Sequence, residues 1–125
     1  MGLTISIDRK KWCSIFTLIG ETDFGDIGSE LEYFSNRLFA FHRMPMIWDF
    51  RRADLSKTHR QHIDKISQYF DQKLDYLEKI RVACVVQTDL QYGLCRILQF
   101  YMDHHLVEIK TFKDYGEAIR WVSFY

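Results

Sequence analysis

Residues 81–101 read RVACVVQTDLQYGLCRILQFY, and this stretch decides the fold. Arg81 to Gln87 is valine-rich and apolar on both alternating faces, the pattern of a strand buried on both sides near the middle of a sheet. Thr88-Asp89-Leu90-Gln91 follows with the spacing of a capping box, in which the first and fourth side chains satisfy free backbone N–H groups at a helix start. The helix it opens is expected to turn Leu90, Leu94, Ile97, Leu98 and Tyr101 inward.

The same unit, a strand and then a capped helix, recurs on either side. Upstream, Met46 to Phe50 is a short apolar run after Pro45, the only proline, and suits a buried strand. Arg51 to Lys57 reads as a polar loop, and Thr58-His59-Arg60-Gln61 as the cap of a helix carrying Ile63, Ile66, Phe70, Leu74 and Leu77. Downstream, Val107 to Phe112 alternates as VEIKTF, a strand nearer the sheet edge. Asp114-Tyr115-Gly116-Glu117 then caps a short helix through Ala118, Ile119 and Val122.

Nearer the N-terminus, Phe24, Ile27, Leu31, Phe34, Leu38 and Phe41 recur every three or four residues and mark another helix. Gly25 and Gly28 weaken its first turn, so its firm start is expected at Ser29, where SELE is a capping box. Leu3 to Asp8 and Trp12 to Gly20, on either side of Arg9-Lys10-Lys11, read as an antiparallel hairpin. The order is therefore β-β-α-β-α-β-α-β-α. It predicts an α/β fold with a mixed five-stranded sheet, parallel in its later strands, and four helices in one domain spanning residues 1–125. Right-handed crossovers laid down in one direction put their helices mostly on one face. The opposite face is left partly open and calls for a partner, a ligand or solvating side chains.

Composition bounds the function. The 125 residues are 47% apolar, 16% aromatic and 27% charged, enough for a dense core. Seventeen basic residues balance seventeen acidic ones, which removes the general electrostatic argument for nucleic acid or an anionic membrane surface. No apolar run approaches the ~18 residues of a membrane span, so no integral membrane association is expected. Three separated cysteines, Cys13, Cys84 and Cys95, with no CxxC pair, suit a reducing compartment, and a cytoplasmic location is expected.

Three segments, IWDFRRADLS, VACVVQTDLQYGLCRILQFY and VEIKTFKDYGEAIRWV, together resemble the small STAS-like proteins of the SpoIIAA-like group over essentially the whole chain. That resemblance implies a fold shared with anti-sigma factor antagonists and with the lipid-binding lobe of CRAL-TRIO proteins. Relatives of this kind bind a kinase partner or hold a lipid. Where antagonists carry an Asp-Ser-Ser-Gly-like phosphoacceptor sequence, this chain has Ala53-Asp54-Leu55-Ser56-Lys57-Thr58, without the Ser-Ser-Gly. Ser56 and Thr58 are the phosphoacceptor candidates, set against an ordinary capping role.

Ligands of open α/β sheets gather beyond the carboxyl ends of parallel strands. Those ends offer Asp49, Arg51, Asp54 and Ser56, then Thr88, Tyr92, Gly93 and Arg96, as a ligand-binding set. Arg96 can hold an anionic head group with Arg51, or instead tie Asp49 or Asp54 to the neighbouring helix. Arg51 and Arg52, adjacent in an extended stretch, are expected to point opposite ways. His59-x-x-His62 and His104-His105 lack the further ligands of a tetrahedral metal site, and no metal, cofactor or catalytic residue is assigned. Tyr33, Phe39, Tyr69, Tyr76, Phe100, Trp121, Phe124 and Tyr125 fall off or at the margins of the inner helical stripes. The sequence thus points to a non-enzymatic module binding a small amphipathic or anionic ligand, such as a lipid, or a regulatory protein. A phospho-regulated switch at Ser56 or Thr58 is the alternative, and the aromatic excess leaves homodimerisation open.

Overall fold

The computed structural model describes residues 2–35, 44–73, 80–102 and 107–123. The chain runs β1 (Gly2–Asp8), β2 (Cys13–Glu21), α1 (Phe24–Ser35), β3 (Met46–Asp54), α2 (Arg60–Lys73), β4 (Ile80–Val85), α3 (Asp89–Tyr101), β5 (Val107–Phe112) and α4 (Tyr115–Ser123). The sheet order is β1-β2-β3-β4-β5, antiparallel between β1 and β2 and parallel thereafter. The expected element order, hairpin and central β4 are all present, and β5 lies at an edge.

Strands adjacent in space are also consecutive in sequence, so crossovers of one hand deliver α1, α2 and α3 to the same face. There Phe16, Trp48, Phe50, Val82, Cys84 and Ile109 from the sheet meet Leu31, Ile66, Phe70 and Leu98 from those helices. Trp48 sits in the middle, fully buried, with the rings of Phe16 and Phe70 each 6.4 Å away. On the other face α4 packs Ala118 and Val122 onto Ile47, Ala83, Val85 and Phe112. Arg81 anchors the end of α4 by donating to the Trp121 carbonyl at 2.8 Å. Beyond α4, which also covers Cys13 and Ile15 at the start of β2, this face is uncovered over β1 and the carboxyl end of β2, where Thr4, Ser6 and Ile19 are exposed. The expected open face is therefore half covered.

Four local expectations are corrected. β3 does not end at Phe50. Arg51 to Asp54, expected as loop, continue the strand, because the long β2 offers partners as far as Glu21↔Asp54. In α3 the expected Leu98 is buried and Leu94 and Tyr101 pack against the core, but Gln91, Cys95 and Met102 complete the buried stripe while Leu90 and Ile97 are exposed. Apolar residues occupy both sides of that helix, and a glutamine drawn inward by its hydrogen bonds decides which side faces the core.

α1 starts at Phe24, not Ser29. Asp23 and Asp26 cap it reciprocally: Asp23 N–H donates to Asp26 Oδ2 at 2.9 Å and Asp26 N–H to Asp23 Oδ1 at 3.2 Å. Ser29 instead accepts from Lys65 Nζ at 2.7 Å. The glycines expected to weaken this turn face α2. A β-carbon on Gly25 would lie 2.8 Å from Asp23 Oδ1 and 3.0 Å from His62 Cδ2, whereas one on Gly28 would meet the Lys65 stem at 3.2 Å. At α2, His59 N–H donates to His62 Nδ1 at 3.2 Å, so a histidine stands where the Thr58 cap was expected. The expected inward residues Leu38, Phe41, Leu74 and Leu77 and the side chain of Phe34 lie outside the described residues.

The two α1 glycines separate helix propensity from close approach. Alanine is favoured over glycine inside a helix by up to about 1 kcal/mol. Gly28→Ala should collect most of that gain, since the flexible Lys65 stem can give way. Gly25→Ala should show none of it and lose about 1 kcal/mol, because the added carbon meets the cap and a packed ring. Urea midpoints of the two variants against the parent chain check the contrast.

Candidate functional site

The carboxyl end of β3 is shaped by a bulge. Between Thr17↔Asp49 and Ile19↔Arg52 the ladder shifts, so β3 supplies one residue more than β2. Phe50 belongs to the helix-side core and Ala53 packs against that same core. The two residues between them, Arg51 and Arg52, therefore both fall on the α4 side. The expectation that they point opposite ways fails because it assumed an unbroken pleat.

Arg51 is spoken for. Its Nε and Nη2 donate to the two oxygens of Asp49 at 3.0 and 2.9 Å, and its backbone N–H adds a third bond at 3.1 Å. Its guanidinium lies 5.0 Å from the centroid of the Tyr115 ring at the start of α4. The Asp49 hydrogen bond, with the charge behind it, raises the guanidinium above its usual value. Tyr115 is also raised, chiefly by burial, and stays protonated. Asp49 is buried, so its charge is compensated by a residue two positions along the same strand and not by Arg96. Arg52 is exposed beside Ile19, and among the described residues it makes no ion pair.

Asp54 closes the strand end. Its carboxylate accepts from the Ser56 N–H at 3.0 Å, and the bonds from Ser56 hold it below the usual carboxylate range. Lys57 pairs with Glu21 at 2.9 Å. Ser56 is exposed, whereas the Thr58 hydroxyl is buried and has no hydrogen-bond partner among the described residues.

The crevice between the ends of β3 and β4 is filled by Gln91, whose side chain the sequence suggested only as a cap. It is 2% exposed. Its Oε1 accepts from the N–H groups of Gln87 at 2.7 Å and Thr88 at 3.1 Å, while its Nε2 donates to the Ala53 carbonyl at 2.9 Å. Thr88 Oγ1 completes the capping box by accepting from Gln91 N–H at 3.2 Å. One buried amide thus satisfies three backbone groups from two strand ends.

The remaining set does not converge. Tyr92 is exposed under Lys113, whose Nζ lies 5.5 Å from its ring centroid. Gly93 and Arg96 lie on the outer face of α3, on the helix side of the sheet, while Arg51 lies on the α4 side. Arg96 and Arg51 therefore cannot hold one head group between them, and Arg96 forms neither of the ion pairs expected for it.

Other candidates are chemically quiet. Burial raises the Cys13 thiol, and burial with a Cys84 hydrogen bond raises Cys95 well above its usual value, so neither is a ready thiolate. His62 Nδ1 takes the His59 N–H, and its Nε2 faces Asp23 Oδ2 at 3.6 Å. Of the aromatics, Tyr69 is buried, Trp121 is half-buried, and Tyr33 and Phe100 are exposed. His104, His105, Phe39, Tyr76, Phe124 and Tyr125 lie outside the described residues. Among the described residues no helix is long and apolar enough to cross a membrane.

Two measurements probe this geometry. Gln91→Leu keeps the volume but strands two N–H groups and a carbonyl, and should cost about 2–4 kcal/mol in urea unfolding. Arg51→Met leaves the buried Asp49 carboxylate uncompensated and should cost about 1–2 kcal/mol, less than a fully buried pair because Arg51 is 40% exposed at its side chain. Adding Asp49→Asn should recover part of that loss, and a strictly additive double variant would mean the two side chains do not interact.

No family model matches the sequence, and no curated protein matches it. A solved structure does: an uncharacterised protein of the DUF3478 family with a SpoIIAA-like fold from Shewanella loihica PV-4. It is 17% identical, with a TM-score of 0.62, over 97% of this chain and 92% of that one. At that identity the likeness carries the fold, and it agrees with the five-stranded mixed sheet and four helices. The chain has a SpoIIAA-like fold.

Proposed function

We infer that the protein is a non-enzymatic interaction module, and that the uncovered half of its sheet, next to α4, docks an acidic segment of a partner protein. The bulge in β3 carries this reading. It turns Arg52 onto the same side as Arg51, and there it stands uncompensated among the described residues beside exposed Ile19. Thr4 and Ser6 extend the shelf across β1 without closing it. An exposed cation, an exposed aliphatic side chain and a polar floor suit a carboxylate-bearing, partly apolar peptide.

A small amphipathic or lipid ligand draws less support, because Gln91 fills the strand-end crevice such a ligand would use. The protonated thiols and phenol favour binding over catalysis, since no activated nucleophile stands among them. For a regulated version, exposure favours Ser56 over Thr58. A phosphate on Ser56 would sit beside the Asp54 carboxylate, and like-charge repulsion would open the turn leading into α2.

Immobilised peptides that pair an aliphatic residue with Asp and Glu, against the same peptides with Lys and Arg, test the reading. The acidic set should bind at least about tenfold more tightly, and Arg52→Glu should abolish the preference. Equal binding of both sets would sink it. Native mass spectrometry of freshly purified protein should show no small mass that departs on denaturation; such a mass would favour a carrier instead.

A further inference from the structure

α3 carries a second face that nothing in the fold explains. At 3.6 residues per turn, Gly93 and Phe100 lie on the line opposite its buried stripe of Gln91, Cys95 and Leu98. Leu90 and Ile97 flank that line on one side, and Asp89 and Arg96 on the other. All six are exposed, Phe100 by 80%. Gly93 is the telling residue. A glycine inside a helix costs roughly 1 kcal/mol relative to alanine, and glycines that earn their place allow close approach or a special backbone. Gly25 and Gly28 have α2 against them, but a β-carbon on Gly93 would meet nothing within 4 Å. Within one copy of the chain that cost has no return.

We propose that this face pairs with the same face of a second copy, the two α3 helices crossing antiparallel at Gly93. The pattern is self-complementary in that arrangement alone. A two-fold axis perpendicular to the helix in the contact plane keeps each lateral side and inverts the direction along the helix. Leu90 then meets Ile97 of the other copy on one side, and Asp89 meets Arg96 of the other copy on the opposite side. A parallel pairing would set Leu90 against Asp89 and Ile97 against Arg96. Gly93 at the centre lets the backbones approach, and Phe100 reaches past the crossing toward the start of the other α3. Among the described residues neither Asp89 nor Arg96 has an ion pair within the chain. Zero formal net charge means that two copies do not repel at long range. A single helix pair is a small interface, which places the dissociation constant in the micromolar range, about 1–50 µM.

Sedimentation equilibrium on the full chain tests this without reference to the peptide-docking shelf, which lies on the other side of the sheet. The parent chain should be a dimer by about 100 µM, and Gly93→Lys a monomer there with an unlowered melting temperature, since its side chain enters open space. Ile97→Gln, at an exposed site, should weaken the dimer by about tenfold with the fold intact. Asp89→Arg and Arg96→Asp should each weaken it similarly, and the two together should restore it to within about threefold, the signature of antiparallel pairing. A parent chain that stays monomeric at that concentration, a dimer that survives Gly93→Lys, or a charge exchange that fails to restore association would each overturn the proposal.

Discussion

The constraint on which this molecule depends is the coincidence of sequence order and sheet order. Because β2 to β5 are laid side by side in one direction, a fixed crossover hand gives α1, α2 and α3 no choice of face. They crowd one side and form the larger core around Trp48. The other side receives only α4, the element after the last strand, which covers β3 to β5 and the start of β2. From that asymmetry follow the close α1–α2 approach that requires Gly25, the exposed shelf over β1 and the carboxyl end of β2, and the outward face of α3. A doubly wound sheet with a switch in strand order would have distributed its helices and opened a ligand crevice at the switch point. Here there is no switch, and the ends of β3 and β4 are tied together by the buried Gln91 amide.

Much of this architecture is written locally. RVACVVQ announces a central strand because valine on both faces is affordable only where both faces are buried, and β4 lies between β3 and β5. The Thr88 and Gln91 box is likewise legible, since it needs only side chains within one turn. The errors arise where long-range pairing decides. Arg51 to Asp54 look like loop because they are polar, yet β2 extends far enough to hold them in a ladder. In α3 the expected Leu94, Leu98 and Tyr101 do face the core, but apolar periodicity also draws in Leu90 and Ile97, which are exposed. Gln91 belongs inside because its amide meets the carbonyl of Ala53, thirty-eight positions away, a contact no helical periodicity encodes.

The candidate site was legible as a list and not as a place. Asp49 and Arg51 do meet, but as a pair within one strand. The start of α3 at a strand end predicts Arg96 at the same site. Its position seven residues into that helix carries it to the outer surface instead, with the whole sheet between it and Arg51. The composition signal nearest the bulge that aligns Arg51 with Arg52 is Gly20, one residue past Ile19 and in the left-handed region at φ 75°, but it lies on β2 and does not say that β3 carries the extra residue. Only the register of β2 against β3 reveals it.

The two proposed surfaces are compatible because they face away from each other. The shelf beside α4 and the seam on α3 occupy opposite sides of one sheet, so pairing through α3 buries none of Ile19, Arg51 or Arg52. Two copies joined in this way would present two shelves outward from a common centre. A partner carrying two acidic segments could then engage both at once, the second contact being effectively intramolecular and strengthening binding by 10²–10⁴ when the spacing matches. A weak shelf and a weak seam would in that case depend on each other through concentration alone. Each could remain individually modest, as the exposure of Arg52 and the size of a single helix pair require, while the assembly bound firmly.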